Sequence, residues 1–376
     1  MNRKYRILYS LSEFMHGSKV RQVCQLVRGL NKDLFETEIC AESIVDEASN
    51  EIESLNIPYF ISPLFPPRSF KVKKLFNFLM SPVFLNKKKY DLVHSLHYSS
   101  LCFEAIICAL SKECKFIYSK SNLQWDNHRV NWNLKSRFSK NIITQSKIGF
   151  QLLADKGFSN KATIIYNGID CREYFPAPDR EKQEIRKEMG IGEGVFVFGY
   201  AAHFVEVKDH ITLIKAFKIQ NERYPNSVLA LCGGPHDAAY YNNVLDYISN
   251  NNLSRNVYLL GTLTDMKKFY TLCDCLIFTS KFENFSIVIL EALSSGLPVI
   301  ASKFGGNIEQ VDDNVNGFLV DPGDHVGFAD AMSRYLNKPE LVKIHGAESR
   351  KIAETRYSVE VMVKKTEELY LDLLQK

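Results

Sequence analysis

Two glutamates, Glu283 and Glu291, stand eight positions apart in the run Ser280-Lys281-Phe282-Glu283-Asn284-Phe285-Ser286-Ile287-Val288-Ile289-Leu290-Glu291. A carboxylate has two acceptor oxygens and can grip a vicinal diol, so such a pair suits a sugar or a ribose. The residues between them read as a loop entering a helix near Ser286. That start puts Glu291 about one and a half turns into the helix, with its carboxylate still near the helix mouth. The backbone N–H groups of Phe285 to Ile287 have no intrahelical acceptor there and would hold a phosphate. A plainer arrangement uses the same residues, with Glu283 capping the helix and Glu291 in solvent.

A second chemically suggestive stretch runs from Pro67 to Met80 and on to Lys87-Lys88-Lys89. Basic residues interleave there with Phe70, Leu75, Phe76, Phe78 and Leu79, as in a helix that lies on an anionic membrane. The bland reading, which the pattern favours, is a crossover helix whose apolar side packs on a sheet while its lysines face water.

The elements that must position these residues alternate. The chain opens with a short apolar strand, Tyr5–Ser10. After a loop with Gly17 comes an amphipathic helix from about Lys19 to Leu30, with Val20, Val23, Leu26, Val27 and Leu30 on one face. Further strands are expected at Glu36–Ala41, near Tyr59, and at Leu92–His94, Phe116–Tyr118, Ile142–Gln145 and Thr163–Tyr166. Asn167-Gly168 followed by Pro176 and Pro178 makes a loop, and a charged helix, Arg180–Met189, follows it. A second series then starts at Val195–Tyr200 and continues at Ser227–Cys232, Val257–Leu260, Cys275–Thr279, Pro298–Ala301 and Gly317–Val320. Strands alternating with helices imply parallel sheets covered on both faces, and ligands bind beyond the carboxyl ends of such strands. The expected organisation is α/β, with two doubly wound Rossmann-like domains facing across a cleft. The boundaries are 1–170 for the first domain, 171–189 for a linker and helix, 190–355 for the second domain, and 356–376 for a helix that crosses back to the first.

Length and composition agree with two globular domains. The chain has 376 residues, 45% hydrophobic and 24% charged, which excludes disorder and collagen-like repeats. The net charge of +4 is too small to announce a nucleic-acid partner, but it is unevenly spread. Residues 1–175 hold 25 basic against 16 acidic side chains, whereas the remainder holds 22 against 27. Nine cysteines without a framework spacing read as core thiols of a reducing compartment. Cys273 and Cys275 flank Asp274 within an expected strand and would share one sheet face. No Cys or His pattern has zinc-ligand spacing. The start, MNRKYRILYSLSEF, has no apolar signal core, and no run approaches the ~18 apolar residues of a membrane span. A cytoplasmic protein that touches the inner face of the membrane is expected.

The later motifs complete a pattern. After the glutamates come Gly296-Leu297-Pro298-Val299, Gly305-Gly306-Asn307-Ile308-Glu309 and Asn316-Gly317-Phe318-Leu319-Val320. Upstream stand Lys208-Asp209 within Gly199–Phe217, Cys232-Gly233-Gly234-Pro235, and Tyr166-Asn167-Gly168-Ile169-Asp170. In this order the motifs resemble those of the family 4 retaining glycosyltransferases, which adopt the GT-B fold, and Arg356-Tyr357-Ser358 resembles the segment that crosses back. The match spans nearly the whole chain and is densest from Ile164 to Asp324.

The resemblance implies roles residue by residue. Lys208 would meet the donor's pyrophosphate, whose charge grows as the glycosidic bond breaks. Glu283 would hold the transferred sugar, and these two are the expected catalytic residues. Glu291 would bind the ribose hydroxyls, and Asn284, Phe285, Ser286 and Ile287 would line the sugar and phosphate path. Base selection would rest on backbone groups near Leu260–Thr262. His203 stands where the family has an arginine, so phosphate binding there is pH-sensitive. Asn284 and Ser286 replace common glycines, which narrows the space beside the sugar. Gly17 takes the place of the family's Gly-Gly loop next to the donor. On the acceptor side, His97 ends a strand that resembles the family's. The family's next histidine is missing, and Lys120, Ser121 and Asn122 stand where its contacts would be.

The implied activity is retaining transfer of a sugar from a UDP- or GDP-sugar to a hydroxyl of a glycan or lipid-linked acceptor, in cell-surface polysaccharide synthesis. The nucleotide-sugar is substrate, and no obligatory metal or other cofactor is implied. Expected partners are that donor, the acceptor and, through residues 68–89, an anionic membrane; nucleic acid is not among them. A nucleotide-sugar 2-epimerase on the same fold remains open, and so does a sensor that binds nucleotide-sugars without turnover. A dehydrogenase is disfavoured because no Gly-x-Gly-x-x-Gly follows the first strand.

Overall fold

Alternation along the first strand sets the layering of the first half. Ile7, Tyr9 and Leu11 enter one hydrophobic cluster and Leu8 enters another, because successive side chains of a strand leave on opposite faces. In a computed structural model, which describes residues 3–14, 18–44, 52–65, 72–97, 99–111 and 113–375, that strand is β1, Tyr5–Phe14. It is followed by β2 (Phe35–Ile44), β3 (Tyr59–Ile61), β4 (Leu92–Ser95), β5 (Lys115–Lys120), β6 (Asn141–Thr144) and β7 (Ala162–Ile164). All seven pair in parallel, in the order β3-β2-β1-β4-β5-β6-β7.

A second sheet contains β8 (Phe196–Ala201), β9 (Ser227–Cys232), β10 (Val257–Gly261), β11 (Cys275–Phe278), β12 (Val299–Ser302) and β13 (Gly317–Val320). Its order is β10-β9-β8-β11-β12-β13, again parallel throughout. The strands β9, β11 and β12 are buried along their whole length, as sheets covered by helices on both faces require.

The chain divides into two compact units, residues 1–168 with 359–376, and residues 169–358. In the first unit the helix Ser18–Gly29 and the last helix, Val359–Gln375, share one core cluster through Val23, Val27, Met362 and Tyr370. In the second unit the charged helix Asp179–Glu188 is fastened by Asp274, whose carboxylate meets Lys182 and Arg186, each at 2.7 Å, and accepts from the Val197 amide at 2.8 Å. That contact corrects one expectation. Cys273 caps the helix before β11 instead of lying inside the strand, and the strand begins only at Cys275. None of the nine thiols is in a disulfide, and all but Cys171 are buried.

The basic, apolar-rich stretch forms two short helices, Val72–Leu79 and Ser81–Lys88; residues 66–71 lie outside the described residues. The inward side is the packed crossover that the pattern favours. Phe78 meets Phe103 edge-on at 5.7 Å, Phe84 meets Phe60 at 5.8 Å, and Leu85 is buried. The outward side is apolar too. Phe76, Leu79, Met80 and Val83 are spaced as one helical stripe, and Phe76 and Leu79 are 60% and 66% exposed. Among the described residues no helix is long and apolar enough to cross a membrane.

Candidate functional site

The carboxyl ends of β8 and β11, neighbours at the centre of the second sheet, bring Lys208 and Glu283 together. Lys208 sits in the turn Glu206–Lys208 after β8, and Glu283 in the loop after β11. Lys208 Nζ lies 2.7 Å from Glu283 Oε2, and 5.3 Å from the centre of the Phe278 ring. The backbone that carries the lysine is pinned. The Tyr200 hydroxyl donates to the Lys208 carbonyl, and Thr279 Oγ1 donates to the carbonyls of Lys208 and Asp209 at 3.2 and 3.0 Å. Asp209 takes a left-handed conformation, φ 55°, and caps the helix His210–Arg223 through Thr212. The lysine thus leaves a corner whose backbone is hydrogen-bonded on two sides.

The helix start falls where the spacing puts it. Ser286 caps the helix Ile287–Ser294, its hydroxyl accepting from the Ile289 amide at 3.3 Å. The cap is therefore Ser286 and not Glu283, which leaves the Glu283 carboxylate to Lys208. The loop before the helix is pressed from behind by the Gly305-Gly306 turn. A Cβ on Gly305 would stand 1.9 Å from the Glu283 carbonyl oxygen, and one on Gly306 would stand 2.1 Å from that of Asn284. Only glycines allow this approach.

Two features of this corner differ from expectation. The Ser286 amide is not a free donor for phosphate, because it donates to Gln310 Oε1 at 3.1 Å while Gln310 Nε2 returns a bond to the Ser286 carbonyl at 2.7 Å. Glu291 is not in solvent. It is 5% exposed, and one carboxylate oxygen accepts from the Tyr270 hydroxyl at 2.7 Å. Asn284 and Phe285 are also buried, and Phe285 packs edge-on against Tyr357, with ring centres 5.6 Å apart. Gln310 and Tyr270 carried no sequence signal: each reaches the site through the fold, 24 and 21 positions from its partner.

His203 follows β8 on the solvent side and stacks on His236, with ring centres 3.8 Å apart. Burial, then His236 and then Lys208 push its pKa below the usual histidine value. A neutral imidazole, not a permanent cation, therefore occupies this position at neutral pH. Gly17 lies outside the described residues.

In the first unit the expected acceptor-side residues turn inward. His97 is 2% exposed, packs against the Phe65 ring at 4.6 Å and bonds to Ser10 Oγ at 3.2 Å. Burial lowers its pKa to about 4, against the opposing charge of Glu104. It is a core histidine in this structure. Lys120 is 3% exposed, and its Nζ is spent on its own loop, donating to Asn122 Oδ1 at 2.8 Å and to the carbonyls of Asn122 and Gln124 at 3.0 and 2.7 Å. It also lies 3.8 Å from the Trp132 ring centre. Burial, with the charge of Lys135, lowers its pKa to about 7. Ser121 and Asn122 are half-buried on the loop that Lys120 holds.

Two parallel α/β sheets, each covered by helices, with a lysine–carboxylate pair at the carboxyl ends of the second, define the GT-B class. Solved structures agree on that fold. HepE of Anabaena in complex with UDP and glucose matches with a TM-score of 0.80 and 22% identity, covering 97% of this chain and 98% of that one. A glycosyltransferase from Rickettsia africae matches with a TM-score of 0.86 and 19% identity over the whole of both chains. Two family models match the sequence: "Glycosyltransferase Family 4" over residues 20–173, and "Glycosyl transferases group 1" over residues 181–352. The chain belongs to this glycosyltransferase family. Among curated relatives, the N-acetyl-alpha-D-glucosaminyl L-malate synthase of Bacillus anthracis is 29% identical over 212 residues, 56% of this chain and 54% of that protein. The UDP-Gal:alpha-D-GlcNAc-diphosphoundecaprenol alpha-1,3-galactosyltransferase of Escherichia coli is 28% identical over 217 residues, 57% of this chain and 55% of that protein. The matched region spans about half the length of these relatives.

Proposed function

We propose that this protein transfers a hexosyl group from a nucleotide-sugar to a hydroxyl of a glycan or lipid-linked acceptor, with retention of anomeric configuration, in cell-surface polysaccharide synthesis. The observation that carries this reading is the Lys208–Glu283 pair, 2.7 Å apart beyond the central strands of the second sheet. Lys208 would leave Glu283 for the donor's diphosphate and stabilise the charge that develops on the leaving oxygen. Glu283 would then accept hydroxyl hydrogens of the transferred sugar, and Glu291 those of the ribose. The acceptor hydroxyl attacks the anomeric carbon on the face from which the nucleoside diphosphate departs. Its proton passes to the leaving phosphate oxygen, so the products are the glycoside and the protonated nucleoside diphosphate. A trapped covalent sugar–enzyme adduct in mass spectrometry would count decisively against this course.

The comparisons support this reading at a coarser level. The E. coli relative is named for a UDP-sugar donor and a diphosphoundecaprenol acceptor, and HepE binds UDP and UDP-glucose. The cation in this scheme is Lys208, so activity is expected to survive EDTA. The acceptor-side proposal adds an anionic membrane, supported by the exposed apolar stripe of residues 76–83 beside Lys87, Lys88 and Lys89. A non-catalytic sensor of nucleotide-sugars is the second reading, and it is favoured by His203, held below the usual histidine pKa where the family has an arginine.

The deciding experiment is a thermal-shift screen over UDP-, GDP- and ADP-sugars, followed by an NMR assay of the product anomer with the donor that binds. A ligand at 100 times its Kd should stabilise by about 2.7 kcal/mol. No shift with any donor overturns the proposal, and binding without turnover selects the sensor.

A further inference from the structure

His203 and His236 are 33 positions apart in sequence, yet the sheet sets them face to face. β8 and β9 pair in register, with Ala201 opposite Cys232. The pairing continues beyond the strand ends: the Ala202 amide donates to the Cys232 carbonyl at 2.9 Å, and the Phe204 amide to the Gly234 carbonyl at 2.9 Å. The Asp237 amide then donates to the Phe204 carbonyl at 3.0 Å. The turn between strand and histidine has to be glycine. Gly233 has φ +152°, and a Cβ on it would stand 1.9 Å from the Ala202 carbonyl oxygen. Behind the two loops Phe204 is buried, stacked on His210 at 4.2 Å and edge-on to Tyr241 at 4.8 Å. The result is a fixed pair of solvent-facing imidazoles, with ring centres 3.8 Å apart and planes 24° apart.

The charges around the pair favour an anion. Lys208, on the same link as His203, is near enough to act on its titration. The carboxylates of the two links are directed elsewhere. Asp209 is turned to Thr212 and to Lys281, and Asp237 accepts from the Tyr240 amide as the cap of the helix Ala238–Asn250. Glu206 is exposed on the link, and Glu283, from the loop after β11, is held by Lys208. Two stacked imidazoles cannot both be cations without repulsion, but an imidazolium over a neutral imidazole face is favourable. One proton is therefore the capacity of the pair.

We propose that His203 and His236 form a proton-linked phosphate subsite, in which the pair takes up one proton from solvent as a nucleotide-sugar diphosphate seats beside Lys208. The proposal rests on the nucleotide-sugar reading above and assigns His236 a place in it. It also gives a sign. Burial, His236 and Lys208 hold the free His203 below the usual histidine value, and a bound dianion raises the affinity of the site for a proton. Donor binding therefore tightens as pH falls, and it levels off once the free His203 is itself protonated.

The test is isothermal titration calorimetry with UDP-glucose, GDP-mannose and ADP-glucose, whose diphosphate diesters do not titrate between pH 6 and pH 8. The measurement is repeated in buffers of different ionisation enthalpy. Uptake of roughly one proton per ligand at most, and binding about tenfold weaker at pH 8 than at pH 6, are expected. His236→Phe keeps a stacking ring but should lose most of the proton uptake. His203→Arg should bind with no uptake and with a flat pH profile. Binding without proton uptake, or uptake unchanged in both variants, overturns the subsite and leaves the nucleotide-sugar reading standing. Absence of binding by all three donors overturns both.

Discussion

Lys208 Nζ and Glu283 Oε2 lie 2.7 Å apart, so the cation proposed to meet the donor is held by the carboxylate proposed to hold the sugar. Each neutralises the other, and in the proposed scheme a ligand carrying both a diphosphate and hydroxyls separates them. Lys208→Ala should reduce kcat/KM by about 100- to 1,000-fold, the scale for losing one aimed stabiliser of transition-state charge. Glu283→Ala should do the same, and the double variant should fall well short of the product of the two losses, because each single change leaves its partner misplaced. Stability should change by less than about 1 kcal/mol, since both groups are partly exposed. Steady-state kinetics with a thermal melt separates these outcomes. Additive losses would show that the two residues act independently.

Gln310 is 0% exposed and holds both backbone groups of Ser286. Gln310→Leu keeps the volume but strands a buried amide and a buried carbonyl, at a cost of about 1–3 kcal/mol each if neither relaxes. The melting temperature should drop. The donor KM should rise more than kcat falls, because the loop Glu283–Ser286 loses its anchor while Lys208 stays in place. Gln310→Glu, which keeps one acceptor for the Ser286 amide, should recover part of the KM. A fall in melting temperature with unchanged KM would make Gln310 a purely structural residue.

The alternation of strands and helices was legible because buried parallel strands leave short apolar runs, such as Cys275–Phe278, between loop-forming residues. The helix start at Ser286 was legible for a local reason: a serine cap acts on an amide three residues on. Contacts made through the sheet left no such trace. Gln310 reaches Ser286 and His236 reaches His203 because strands adjacent in space are distant in sequence. The direction of His97 and Lys120 was not legible either. A polar residue at a strand end can face a ligand or the core, and here the core holds both.

Those inward lysines give a pH dependence of stability. Lys120 titrates near pH 7 and the fully buried Lys135 near pH 8, both lowered first by burial. Unfolded lysines keep their proton to about pH 10.4. The unfolded chain therefore binds more protons than the folded one between those limits, and stability from these groups rises with pH. For Lys120 alone the gain between pH 7 and pH 9 is on the order of 2 kcal/mol. The melting temperature should climb over that range, and Lys120→Met should flatten the climb. A melting curve that falls from pH 7 to pH 9 in both proteins would contradict the burial of these charges.

The exposed stripe Phe76, Leu79, Met80 and Val83 lies outside the core, against which the same two helices pack Phe78, Phe84 and Leu85. Residues 68–89 contain seven basic side chains and no acidic one. Lys88 lies near Glu38 at 3.8 Å, while Lys87 and Lys89 are exposed. Apolar side chains flanked by exposed lysines suit the boundary of an anionic bilayer, where each basic group near the surface adds about 1 kcal/mol. The protein should co-sediment with vesicles containing phosphatidylglycerol and not with neutral ones, and salt should release it. Phe76→Ser with Leu79→Ser should abolish sedimentation at unchanged melting temperature, because neither side chain is in the core. Lys87→Glu with Lys89→Glu should do so while leaving the apolar stripe intact. Equal sedimentation of all three proteins would refute a membrane face here and return the stripe to the surface of a freely diffusing enzyme.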